Sequence, residues 1–196
     1  MEDQIRRDRA GRRQAGGAGR GRMAEILSRA DRLAARCGTR QAREMAEVLG
    51  IIVMPRAFAV QRGAYKVILR SRFIFIKSDL SAEMERMVLL HELGHDTLHR
   101  DQAVRSGGFE EFDIFAMMDN RMEYEANLFA AQLALPDDEM LAYIDRGYDA
   151  GQIARAAGLD VNLIALKADA LICRGHRLRA QEYHSDFLRN DRGPER

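Results

Sequence analysis

The stretch Ser81-Ala-Glu-Met-Glu-Arg-Met-Val-Leu-Leu-His91-Glu92-Leu93-Gly94-His95-Asp-Thr-Leu98-His99 decides the fold. Ser81 offers a side-chain oxygen to cap a helix, and Glu83 and Glu85 sit where the positive end of the helix dipole favours acids. The expected helix runs to about His99. Met84, Met87, Val88, His91 and His95 share one face at the 3.6-residue period while Leu90 and Leu93 lie opposite. Such a helix is buried from two directions, with both imidazoles pointing inward.

Histidines four residues apart project from one helical face and can chelate a single Zn2+ at about 2.0–2.1 Å each. Glu92 lies about 100° around the helix, placed to reach an attacking water without binding the ion. Peptide hydrolysis uses these roles: the ion polarises the scissile carbonyl and acidifies water, and the carboxylate moves the proton. The competing reading is a buried helix whose histidines are satisfied by hydrogen bonds. Two inward imidazoles in an apolar setting are costly unless a metal or such a partner holds them.

A catalytic zinc needs a third protein ligand and one open position. In Arg121-Met-Glu123-Tyr124-Glu125-Ala-Asn127-Leu-Phe-Ala130, residues Glu123, Ala126, Asn127, Ala130 and Ala134 fall on one helical face. The alanines allow a close helix pair, so Glu123 can reach the ion and Asn127 can hydrogen-bond a ligating histidine. Glu125 points elsewhere and reads as a solvated carboxylate. His99 competes as third ligand, but positions i and i+8 on a straight helix are about 12 Å apart, so it belongs to the structure or to the cleft rim. His99 and Tyr124 are the candidates for stabilising an oxyanion.

Around this centre, Met23 to Gly50 reads as two short helices broken near Gly38-Thr39. Ile51 to Met54 is a short apolar strand, and Tyr65 to Leu69 with Phe73 to Ile76 flank Arg70-Ser71-Arg72 as a hairpin. Phe73 to Ile76 is the candidate edge for an extended peptide. Residues 100–118, with Gly107-Gly108 and a cluster of phenylalanines, read as a flap. Helices are expected from Asp119 or Asn120 to Leu135, from Asp137 or Asp138 to Arg146, from Asp149 to Ala157 and from Val161 to Arg174. The fold class is therefore α+β: a small, mostly antiparallel sheet packed on the active-site helix, with a helical C-terminal half.

Composition sets the limits. The 196 residues allow one core of respectable size. Residues 1–22 carry seven arginines against three acids, leaving 24 basic against 27 acidic residues for the rest. The expected organisation is a disordered basic tail (1–22), a metalloprotease domain (23–180) and a polar C-terminal tail (181–196). The near balance of charge argues against nucleic acid as a partner, except through the basic tail, and against a membrane surface. Two distant cysteines and no apolar run near 18 residues fit a reducing, cytoplasmic setting.

The run Gly63-Ala-Tyr-Lys-Val-Ile to Phe73-Ile-Phe-Ile, then His91-Glu-Leu-Gly-His95 with Leu98-His99, then Glu123-Tyr-Glu-Ala-Asn127-Leu-Phe-Ala-Ala resembles the ImmA/IrrE family of metallo-endopeptidases over about residues 30–175. The resemblance implies a zincin-like fold and a gluzincin-like Zn2+ site of His91, His95 and Glu123, with Glu92 catalytic. It also implies the substrate, a helix-turn-helix repressor of a mobile element or a stress regulon. Two other readings compete. Asp149 to Gly158 followed by a helix from Val161 resembles a helix-turn-helix, which would make the chain a DNA-binding regulator, although the second helix is too apolar for good groove contacts. Alternatively the chain binds a repressor without cutting it.

Overall fold

The computed structural model describes residues 2–105, 120–176 and 178. Of the flap or loop expected over residues 100–118, residues 100–105 form a helix instead, and the remainder, like the tail 181–196, lies outside the described residues. The elements in chain order are α1 (Glu2–Cys37), α2 (Ala42–Val48), β1 (Ile51–Arg56), β2 (Gly63–Ile68), β3 (Ser71–Lys77), α3 (Ala82–Leu98), α4 (Arg100–Arg105), α5 (Asn120–Ala134), α6 (Asp137–Asp145), α7 (Ala150–Ala157) and α8 (Val161–Cys173). The class is α+β, with a small sheet and a helical C-terminal half. Among the described residues, no helix is long and apolar enough to cross a membrane.

Helix α1 spans Glu2–Cys37, and Arg22 on it is tied by ion pairing to Glu125 on α5. The first helix pair breaks at Gly38, as its sequence suggests, and Gly50, with φ of 67°, supplies the left-handed residue that turns α2 into β1.

The sheet runs β1-β3-β2, with β1 parallel and β2 antiparallel to β3. It is therefore mixed, with one antiparallel ladder of two. Strand β3 is central and paired on both sides, which corrects the expectation that Phe73 to Ile76 forms an edge. The apolar tetrapeptide is central because its two faces bury different partners. Ile74 and Ile76 join the main core under α3, and Phe75 packs with Ala64 on the opposite face. The hairpin also turns one residue earlier than the arginine-rich stretch suggests, at Leu69-Arg70, with φ of 48° and 66°. A two-residue turn with both residues left-handed matches strand twist, and here it is built without glycine.

Helix α3 starts at Ser81, whose side chain accepts from the backbone N–H of Met84 at 3.2 Å. Residues Met87 to Asp96 are all buried, because strands β2 and β3 lie against one side of the helix and α5 against another. The two-sided burial expected from its pattern is thus realised. Helices α3 and α5 meet at Gly94: a β-carbon there would lie 3.1 Å from both Cα and O of Ala126. With Ala126 and Ala130 fully covered, this close pairing brings the side chains of the two helices into one small volume.

Asp96 locks the helix to the sheet. Its carboxylate accepts from the Tyr65 hydroxyl at 2.7 Å, from Arg72 at 3.0 Å and from Arg100 at 2.6 Å. The carboxylate itself is almost fully enclosed. Replacing Asp96 by Ala removes one partner from three donors at once. Breaking a buried pair in this way costs about 3–5 kcal/mol, so urea unfolding of Asp96→Ala is expected to show a loss of that order.

Candidate metal centre

Helices α3 and α5 deliver the ligand set. His91 Nε2 and His95 Nε2 are 2.9 Å apart. Glu123 faces both, with Oε2 3.2 Å from His91 Nε2 and Oε1 3.4 Å from His95 Nε2. These three are the group of side chains able to hold an ion among the described residues. The structure therefore brings together the three residues that the two motifs single out.

The donor set can be tested against a metal by its own hydrogen bonds. His91 Nδ1 lies 2.7 Å from Asn127 Oδ1, an acceptor, so Nδ1 carries the proton and Nε2 presents its lone pair. Glu123 Oε1 is buried with no hydrogen-bond partner among the described residues. Lone pairs and a carboxylate converging on one point repel unless a cation lies between them. A tetrahedral zinc with bonds of about 2.0–2.1 Å sets its ligands roughly 3.3 Å apart, close to the observed spacing. The residues fit a zinc-like ion.

Burial and charge act in opposite senses here. Burial pulls the imidazoles toward neutrality, and for His95 it wins, lowering the pKa to about 4. For His91 the adjacent Glu123 carboxylate outweighs burial and the pKa is raised. Glu123, although largely buried, is held well below the usual carboxylate range by the two histidines.

Glu92 is enclosed beside them, at 2% exposure. Burial pushes its pKa up to about 7, reinforced by Glu123, while His91 and the backbone N–H of Tyr65 favour the carboxylate. Strand β2 approaches it closely because residue 63 is glycine. A β-carbon at Gly63 would come within 2.8 Å of Glu92 Oε1 and 2.4 Å of Val88 Cγ1. This contact has no signal in the sequence beyond a glycine at the start of a strand.

The remaining candidates are placed as follows. Asn127 hydrogen-bonds His91, as its spacing from Glu123 suggests. Tyr124 is half-buried with its ring against the main core. His99 is buried, its Nδ1 3.1 Å from His95 Nδ1 and its Nε2 3.3 Å from Glu125 Oε2. Glu125 is not the solvated carboxylate expected. It is 4% exposed and grips Arg22, Arg121 and His99. Its burial follows from α1 lying across α5, a contact between residues a hundred positions apart that helix periodicity does not contain.

The helix-turn-helix alternative loses its reading helix. The capping box of Asp149 and Gln152 is present, but α8 buries Leu163 to Ala168 without interruption. Lys167 is turned inward to Gln132 and Asp137 rather than offered to a groove.

Comparison with known proteins agrees with this geometry. Residues 46–168 match the peptidase family described as the IrrE N-terminal-like domain. The chain is 31% identical over 149 residues to "Uncharacterized immunity region protein 2" of Bacillus phage phi105, covering 76% of this chain and 92% of that protein. It is 27% identical over 120 residues to "Metallopeptidase ImmA" of Bacillus subtilis (strain 168), covering 60% of this chain and 68% of that protein. With both ligand-bearing helices inside the matched segment, the chain belongs to the IrrE N-terminal-like domain family of peptidases.

Proposed function

We propose that the chain is a zinc-dependent endopeptidase acting in the cytoplasm on a protein substrate, a helix-turn-helix repressor of a mobile element or stress regulon. The observation that carries the catalytic part is the convergence of His91 Nε2, His95 Nε2 and Glu123 with Glu92 enclosed beside them. The substrate class rests on the family resemblance and fits relatives named for an immunity region and as a metallopeptidase.

When bound, zinc supplies Lewis-acid polarisation of the scissile carbonyl and lowers the pKa of the attacking water. His91, His95 and Glu123 would hold it. Glu92 accepts the proton of that water and passes it to the leaving amine nitrogen. Burial raises the Glu92 carboxyl above the ordinary carboxylate range, the direction that suits a group taking up and returning a proton near neutral pH. Asn127 keeps the His91 ring in the tautomer with the proton on Nδ1, so that Nε2 presents its lone pair. The edge nearest Glu92 belongs to β2, which pairs on one side with β3 and offers an extended substrate its outer side.

The direct test incubates the zinc-loaded protein with the repressor encoded beside its gene. Wild type is expected to cut it, and chelation to stop cutting until zinc is restored. Glu92→Gln should keep full zinc content and lose at least about 100-fold in rate, the scale of a positioned acid–base group. Cleavage by both forms, or by neither, rejects the mechanism. If neither cuts but both relieve repression, the chain binds the repressor without hydrolysing it.

A second test perturbs position alone. Gly63→Ala forces a β-carbon against Val88 and Glu92, at an overpacking cost of about 1–3 kcal/mol. Displacing the Glu92 carboxylate by even 1 Å is expected to lower kcat by up to about 100-fold, with zinc content unchanged by atomic absorption. Full activity in a folded Gly63→Ala protein would show that the tight β2–α3 approach does not set the Glu92 position.

A further inference from the structure

The geometry points to a proton-ordered relay, Arg22 to Glu125 to His99 to His95, in which helix α1 positions a metal ligand. This inference rests on the metal reading above and extends it to residues that neither motif assigns a role. His95 offers Nε2 to the ion, so its proton must sit on Nδ1, which faces His99 Nδ1 at 3.1 Å. That contact works only if His99 Nδ1 accepts, which leaves the His99 proton on Nε2, 3.3 Å from Glu125 Oε2. The rings are tilted by 49° with centroids 5.2 Å apart, so they meet through their nitrogens rather than by stacking.

Glu125 has to accept from that Nε2–H, and its surroundings keep it an acceptor. Arg22 donates to it twice, from Nε at 3.0 Å and from Nη2 at 2.5 Å, and Arg121 donates from Nε at 3.1 Å. Every proton along the chain of contacts therefore has one direction, ending with a lone pair aimed at the ion. Asn127 does for His91 in one step what His99 and Glu125 do for His95 in two. Arg22 lies outside the family-matched segment 46–168. A plain α1–α5 ion pair would involve Arg22 and Glu125 equally well but would have no reason to pass through His99 to a ligand.

The test measures zinc affinity by competition with a chromophoric chelator, together with the visible d–d bands of the Co2+-loaded protein. His99→Leu is expected to weaken zinc binding by about 10- to 100-fold, the usual effect of losing an outer partner of a ligand, and to shift the cobalt bands. His99→Gln, which retains an acceptor and a donor, should recover most of both. Glu125→Ala should weaken binding by itself and add nothing to His99→Leu, whereas Asn127→Ala should add in full because it serves the other histidine. Unchanged affinity and cobalt spectrum in folded His99→Leu, or full additivity of His99→Leu with Glu125→Ala, overturns the relay. If His99→Leu does not fold, Glu125→Ala and His99→Gln decide: unchanged affinity in the first overturns it. The relay is read from binding and spectra, so it stands or falls whether or not the protein cuts a peptide. A wild-type chain with no zinc affinity overturns both readings.

Discussion

Two imidazole nitrogens held 2.9 Å apart in front of a largely buried carboxylate form the constraint on which the rest of the structure depends. In an apolar interior such a group is costly unless a proton or a metal ion brings positive charge to its centre. The arrangement is kept from relaxing by what surrounds it. Asn127 orients one ring, the Gly94–Ala126 contact presses α5 onto α3, and Asp96 anchors the same helix to the sheet through Tyr65 and Arg72. Helix α3 carries the two histidines on one side and sheet contacts on another, which explains why it is buried along ten consecutive residues.

Tyr65 joins the two halves of this arrangement. Its hydroxyl donates to Asp96 at 2.7 Å, and its backbone favours the charged form of Glu92. One residue of β2 thus bears both on where the helix sits on the sheet and on the charge of the enclosed carboxylate. The absence of a side chain at Gly63 permits that proximity.

Much of this could be read before any coordinates. The spacing of His91 and His95, the helical face shared by Glu123 and Asn127, the alanines that let two helices close up, the capping of α3, and the succession of the three strands and the C-terminal helices are local patterns, and local patterns survive in a linear string. What could not be read depends on pairs distant in the chain. The central position of β3, and hence the edge status of β2, is set by a parallel partner some 20 residues earlier. The burial of Glu125 depends on Arg22, 103 positions away. Gly63 and Gly94 look like ordinary glycines until the atom that would collide with a β-carbon is known. The peptidase family follows from the matched segment, whereas the identity of the substrate is a property of a surface that motif spacing does not encode.

The parallel pairing of β1 with β3 also has a bearing on biosynthesis. Strand β1 emerges from the ribosome with no partner until Lys77 has followed it. The two histidines then wait for a carboxylate that arrives with Glu123. A nascent chain shorter than that has the imidazoles but not the carboxylate, so the three side chains come together only after α5 has been made and docked. Completing the cluster of His91, His95 and Glu123 and finishing the core therefore belong to one late step of synthesis.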